Sequence, residues 1–191
     1  MAKVIVTRKR TSRMSVSVGS RLEVHVTAPL SVSESEILKF IDDNRQWIND
    51  ALQRISKVKR TKQAFYDQLP TATLAERNEA IRRTSEIVQP LVEKYSQIMG
   101  LKPSSVEFNF NKSRWGVCHA KTKVIAFSVY LCLLPAWCIE HVVVHELAHL
   151  KVPNHSPKFY EIMDKYFPRW KQARAATKQA VLSAAGDDKD G

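Results

Sequence analysis

The stretch His141-Val142-Val143-Val144-His145-Glu146-Leu147-Ala148-His149-Leu150 decides how the rest of this chain is read. It is apolar enough to be buried, yet it carries three histidines and a carboxylate. Pro135 and Pro153 bracket it as a helix, because proline suits a helix start and disfavours helical geometry in the residue before it. Residues four apart on a helix differ by about 40° around the axis and lie about 6 Å along it, so His145 and His149 can present their rings to one ion. Glu146 is rotated about 100° from His145, within reach of a water held there without being a ligand itself. Imidazoles and a carboxylate on an apolar helix are costly unless they have partners, which favours a metal site over two core histidines and a surface glutamate.

A catalytic zinc holds three protein groups and keeps a position for water, so a third ligand is required. His155 is the leading candidate. A helix continued for six residues past His149 would turn it about 240°, onto the wrong face. Pro153 disfavours a helical Val152, so the helix stops near Leu150 or Lys151 and the chain can swing back. Ser156-Pro157 then supplies a cap and a first helical position for a helix through Phe159, Ile162 and Phe167. His141 lies about 12 Å of helix from His149, too far to share an ion whose bonds to nitrogen are about 2 Å. It reads as a core residue or as one supporting the ligands. Glu140, Glu161 and Asp164 are other acidic candidates, but none has spacing that favours it over His155.

Outward from the motif, Val106–Phe110 and Lys123–Phe127 read as a strand pair joined through Ser113-Arg114-Trp115-Gly116. Further upstream, Val4–Val6, Met14–Val18 and Leu22–Val26 alternate as strands, the last two as a hairpin with a two-residue turn at Gly19-Ser20. Ser33 and Glu36 form a capping box opening a helix that persists to about Ser56, and Thr73 with Glu76 opens another that Gly100 stops. Pro90 inside the second predicts a kink or an interruption. The polar, basic run from Lys57 to Pro70 reads as a lobe boundary or a long loop. A last helix runs from Pro168 or Arg169 to Ser183. The class is α+β, with a basic amino-terminal lobe over 1–62, the motif-bearing domain over 63–183 and a frayed tail over 184–191.

The 191 residues are 44% hydrophobic and 26% charged, with a formal net charge of +11. These proportions exclude wholesale disorder, while the charge raises a polyanion partner. No stretch approaches 18 apolar residues, and Met1–Arg10 has charges where a secretory leader needs an apolar run, so a soluble, cytoplasmic protein without a membrane partner is expected. Cys118, Cys132 and Cys138 lack the pairing and spacing of a disulfide framework or a zinc ribbon.

His145-Glu146-Leu147-Ala148-His149-Leu150, with Asn154-His155-Ser156 and Phe159-Tyr160 after it, resembles the YgjP-like metallopeptidase family, a zincin group more distantly similar to the SprT and WLM peptidases. Lys112-Ser113-Arg114-Trp115-Gly116-Val117-Cys118 resembles that family's Ser-Arg-Trp-Gly-Ser-Cys element, with Val117 in place of the second Ser. Arg10 to Trp47 also resembles the family's amino-terminal hairpin and helix. The resemblance implies a minimal zincin domain with the active-site helix under a small antiparallel sheet. It also implies zinc on His145, His149 and His155, with Glu146 as catalytic base.

The expected activity is metallopeptidase hydrolysis of a protein or peptide by a zinc-activated water and the Glu146 base. Two alternatives use the same ion: a nucleoside triphosphate pyrophosphatase, and a nucleic-acid-associated SprT-like protease. Arg114 is either an electrophile that stabilises the developing oxyanion or grips an anionic group, or part of a structural turn in which Trp115 fills a core gap. Residues 1–65 carry +7 of the net charge and 66–191 carry +4. That surplus reads either as a surface for nucleotide or nucleic acid or as ordinary solvation. Oligomeric state is not legible in the sequence.

Overall fold

In the computed structural model, which describes residues 2–184, the chain divides into two compact units, Met1–Thr61 and Lys62–Gly191. The expected tail over 184–191 lies outside the described residues, apart from Ala184, which follows the last helix.

The first unit opens with three strands, β1 (Val4–Lys9), β2 (Ser15–Val18) and β3 (Val24–Pro29), in the order β1-β3-β2. β2 and β3 form the expected antiparallel hairpin, pairing Val16 with Val26, whereas β1 lies parallel to β3. The hairpin turn is longer than two residues: the Gly19 N–H donates to the Glu23 carbonyl, and the left-handed position falls on Leu22, with φ of 63°. Val24, Val26 and Ala28 alternate on one face and bury against Ile37 of helix α1 (Glu34–Asp43) and Ile48. The Ser33–Glu36 capping box forms in both directions. The helix expected to reach Ser56 is broken at Asn44, whose Nδ2 donates to the Phe40 carbonyl and ends the first segment. Helix α2 (Arg45–Asp67) follows and carries the basic run from Lys57 onward. Lys, Arg, Gln and Ala are good helix formers, so that polar stretch stays helical through Asp67 rather than forming a loop.

In the second unit, α3 (Leu74–Met99) starts at the Thr73–Glu76 capping box and ends at Gly100, with φ of 65°. It runs through Pro90 without interruption because that proline lies on the exposed face, between the buried Val88 and Val92 turns. The carbonyl it leaves unpaired can be solvated there. Strands β4 (Ser105–Asn109), β5 (Gly116–His119) and β6 (Val124–Ser128) order as β4-β6-β5, with β4 parallel and β5 antiparallel to β6. The sheet is therefore mixed rather than wholly antiparallel. The chain leaves β4, crosses to the far edge as β5, and returns through a hairpin that places β6 in the middle. β6 is buried almost throughout, and a short 3-10 turn over Val129–Leu133 continues from it.

Helices α4 (Ala136–His149), α5 (Pro157–Tyr166) and α6 (Trp170–Ser183) complete the unit. α4 is packed by α3, α5, α6 and β5, which explains an apolar surface around most of its circumference. Val143, Val144, Leu147, Phe127, Phe159 and Met163 form the centre of the core. The architecture is α+β, and among the described residues no helix is long and apolar enough to cross a membrane.

Candidate metal centre

α4 supplies His145, Glu146 and His149 from its last two turns, and the segment linking α4 to α5 supplies His155. The helix ends as Lys151 and Val152 donate their N–H groups back to the Ala148 carbonyl, and Pro153 prevents its continuation. The reversal brings His155 over the helix end. Ser156 takes the cap position and Pro157 the first turn of α5, though the Ser156 hydroxyl makes no cap bond.

One nitrogen of each of the three imidazoles lies within 4.8 Å of the others. His145 Nε2 is 3.2 Å from His149 Nε2 and 3.1 Å from His155 Nε2. Tetrahedral zinc with bonds of about 2.0–2.1 Å separates adjacent nitrogens by about 3.4 Å, so the donor set fits such an ion with small adjustments. His149 Nδ1 donates to the Val152 carbonyl at 3.0 Å, which fixes the tautomer and leaves its Nε2 lone pair facing the other rings. Burial lowers the His145 pKa from 6.5 to about 3, with the neighbouring His149 charge adding to the effect. His149 is lowered chiefly by burial, against the opposing bond to Val152. Both rings are thereby kept neutral, the form a cation requires.

Phe159 forms the floor of this cluster. Its ring centre lies 4.8 Å from His145, 4.5 Å from His149 and 4.8 Å from His155, stacked on the second. Sequence spacing assigns Phe159 to packing; the partners it packs are the imidazoles themselves.

Glu146 is 5% exposed, and burial raises its pKa to about 8. The edge strand β5 runs beside it, and a Cβ added to Gly116 would stand 2.6 Å from Glu146 Cγ and 2.8 Å from Oε1. His141 is buried one turn before His145, its ring 5.9 Å away, and its Nδ1 has no partner among the described residues. Glu140 accepts bonds from Lys94 Nζ at 2.8 Å and Tyr95 OH at 2.7 Å, and Asp164 accepts from Trp170 Nε1 at 2.7 Å. Glu161 is exposed and lies outside the cluster.

The Ser113-Arg114-Trp115 segment is held as a turn and also faces the site. Asn111 Oδ1 accepts from the Ser113 backbone, Ser128 Oγ donates to the Asn111 carbonyl, and Trp115 packs edge-on against Phe65. Arg114 lines the same cavity as His145, Glu146 and His155. Tyr160 and Trp170, which helical spacing alone places beside apolar neighbours, line it as well, together with Arg174 of α6, which no spacing in the sequence connects to the motif.

An α+β unit that gathers three imidazole nitrogens at the end of one helix, beside a buried carboxyl, defines a protein with a candidate mononuclear metal centre. A family model for the YgjP-like metallopeptidase domain matches residues 12–81 and 77–180, and the chain belongs to that family. No curated protein matches it. Among solved structures, the chain is similar to the metallopeptidase zymogen abylysin of Pyrococcus abyssi, at 28% identity over 48% of this chain and 93% of that one, with a TM-score of 0.43. It is also similar to the metallopeptidase zymogen jannalysin of Methanocaldococcus jannaschii, at 20% identity over 48% of this chain and 94% of that one, with a TM-score of 0.44.

Proposed function

We propose that this chain is a zinc-dependent peptidase in which His145, His149 and His155 hold the metal and Glu146 is the general base. The observation that carries the reading is the convergence of one nitrogen from each of three imidazoles within 4.8 Å, next to a carboxyl buried on the same helix. Three imidazoles with an open position suit zinc, and family membership supports peptide hydrolysis. When bound, the ion supplies Lewis acidity, acidifying a water and polarising the substrate carbonyl.

The chain's own groups do the rest. Glu146 takes a proton from the attacking water and delivers it to the departing amine. Its burial favours proton retention while a nearby cation favours release, and together they poise it for both transfers near neutrality. Arg114 can donate to the oxygen that becomes negative, since its charge is permanent and nothing among the described residues bonds its guanidinium. Gly116 leaves the Glu146 carboxyl its space, and Phe159 fixes the ring planes.

The test combines metal analysis with cleavage of an unfolded protein. Wild type should bind one metal per chain and lose cleavage to a chelator, with zinc restoring it. Glu146→Gln should keep the metal and lose turnover by about 100-fold or more, the usual scale of acid–base catalysis. His145→Ala should lose both. Release of pyrophosphate from nucleotides, with no peptide cleaved under the same conditions, would reassign the site to phosphoryl chemistry.

A further inference from the structure

The cavity over the candidate centre has a volume of about 550 Å³, and its lining is electrostatically lopsided. Two guanidiniums, Arg114 and Arg174, line it against a single carboxyl, Glu146. Arg174 has no ion pair and no side-chain hydrogen bond among the described residues, whereas Arg82 of α3 is bound by Glu79 at 2.7 Å and Glu86 at 2.6 Å. Arg174 is four residues beyond Trp170 on α6, so both project from one helix face. Trp170 is held in place: it stacks on Tyr160 with ring centres 4.9 Å apart and donates its indole N–H to Asp164. Arg174 is near enough for its charge to act on the His141 and His145 rings.

We propose that Arg174 is the specificity-determining residue of this site, binding a carboxylate that the peptide carries close to the bond being broken. The carboxylate comes from an acidic side chain or from the peptide's own carboxyl terminus. The assignment rests on the peptidase reading. A guanidinium fork meets a carboxylate with two parallel hydrogen bonds, and the stacked Tyr160–Trp170 wall gives the adjoining apolar part of the substrate a fixed surface. With Arg114 facing the reacting carbonyl, Arg174 is the remaining cation of the cavity. A basic peptide meets two permanent positive charges there and is disfavoured.

The experiment uses zinc-loaded full-length protein and two pairs of peptides. One pair differs by Glu against Gln beside the cleaved bond, the other by a free carboxyl terminus against an amide. Wild type should prefer the acid member of one pair by roughly 10- to 100-fold in kcat/KM, mainly through KM, and the pair that responds identifies the source of the carboxylate. Arg174→Gln should abolish that preference and Arg174→Lys restore part of it, with thermal midpoints confirming that each variant is folded. Calorimetry of the same peptides on zinc-loaded Glu146→Gln reads binding without turnover and should show the same dependence on Arg174. Equal handling of both pairs by wild type and Arg174→Gln overturns the assignment and leaves the peptidase reading intact. If nothing is cleaved but acid peptides bind through Arg174, Arg174 is a carboxylate-binding residue, while the peptidase reading falls and takes with it the role of Arg174 in selecting a bond to cleave. Tighter Arg174-dependent binding of a nucleoside triphosphate than of either acid peptide overturns both.

Discussion

Gly116 has room for a hydrogen and nothing larger. A Cβ there would stand 2.6 Å from Glu146 Cγ, and the neighbour that must yield is the proposed base. Gly116→Ala should therefore retain metal stoichiometry but lower kcat by about 100-fold, the usual consequence of misplacing a catalytic group by about 1 Å; unchanged turnover would show that the carboxyl can move freely. His141 governs a different property. Burial, helped by the Arg174 charge, lowers its pKa from 6.5 to about 4. Over that window the unfolded chain binds a proton that the native chain refuses, so stability is complete above about pH 6.5 and falls as pH drops toward 4. His145, lowered to about 3, acts in the same direction. In metal-free protein, His141→Leu should reduce the loss of unfolding free energy between pH 7 and pH 5 by about 1–2 kcal/mol. Equal losses in the two proteins would mean that the native ring accepts its proton readily. These two residues differ in legibility. His141 could be placed from helical spacing alone, but the demand on Gly116 arises where β5 meets α4, a contact between residues thirty positions apart in sequence.

At the scale of elements, local chemistry was readable where one turn decides the outcome. Both capping boxes, the glycine stop of α3 and the Pro153 break before His155 follow from residues within a few positions of one another. Strand direction was not readable in this way. Val106–Phe110 and Lys123–Phe127 have the pattern of a pair, but a third short strand at Gly116–His119 takes the antiparallel position and leaves the first pair parallel. Nothing in period-2 alternation distinguishes those arrangements. Pro90 shows tertiary packing overriding a local breaker: Val88 and Val92 stay buried on one face while the proline faces out. Proline in a helix interior costs roughly 3 kcal/mol, part of which the solvated carbonyl recovers. Pro90→Ala should accordingly raise stability by about 1–2 kcal/mol in denaturant titration, with activity unaltered because α3 supplies no group to the cavity. A destabilised variant would indicate that the helix axis is bent around the proline and that its packing depends on the bend.

Across the whole molecule, charge and metal ligands have different addresses. Residues 1–65 carry +7 and 66–191 carry +4, while all three candidate ligands fall after residue 144. The first unit closes its own core with Val24, Val26, Ala28, Ile37 and Ile48, and contributes none of those ligands. A metal that binds only the folded second unit stabilises that unit by mass action, by about 4 kcal/mol when its free concentration is about a thousand times the dissociation constant. Chelation should therefore speed amide exchange in α4, α5 and the segment between them, since His145 and His149 belong to one element and His155 to the link that follows it. Amides of β1, β2 and β3 should keep their protection, because their hydrogen bonds and buried faces are made within the first unit. Hydrogen exchange with and without chelator separates the possibilities. Loss of protection confined to the second unit would locate the metal's stabilisation there, whereas an equal loss in β3 would show that the two units unfold together and that the metal stabilises the entire chain.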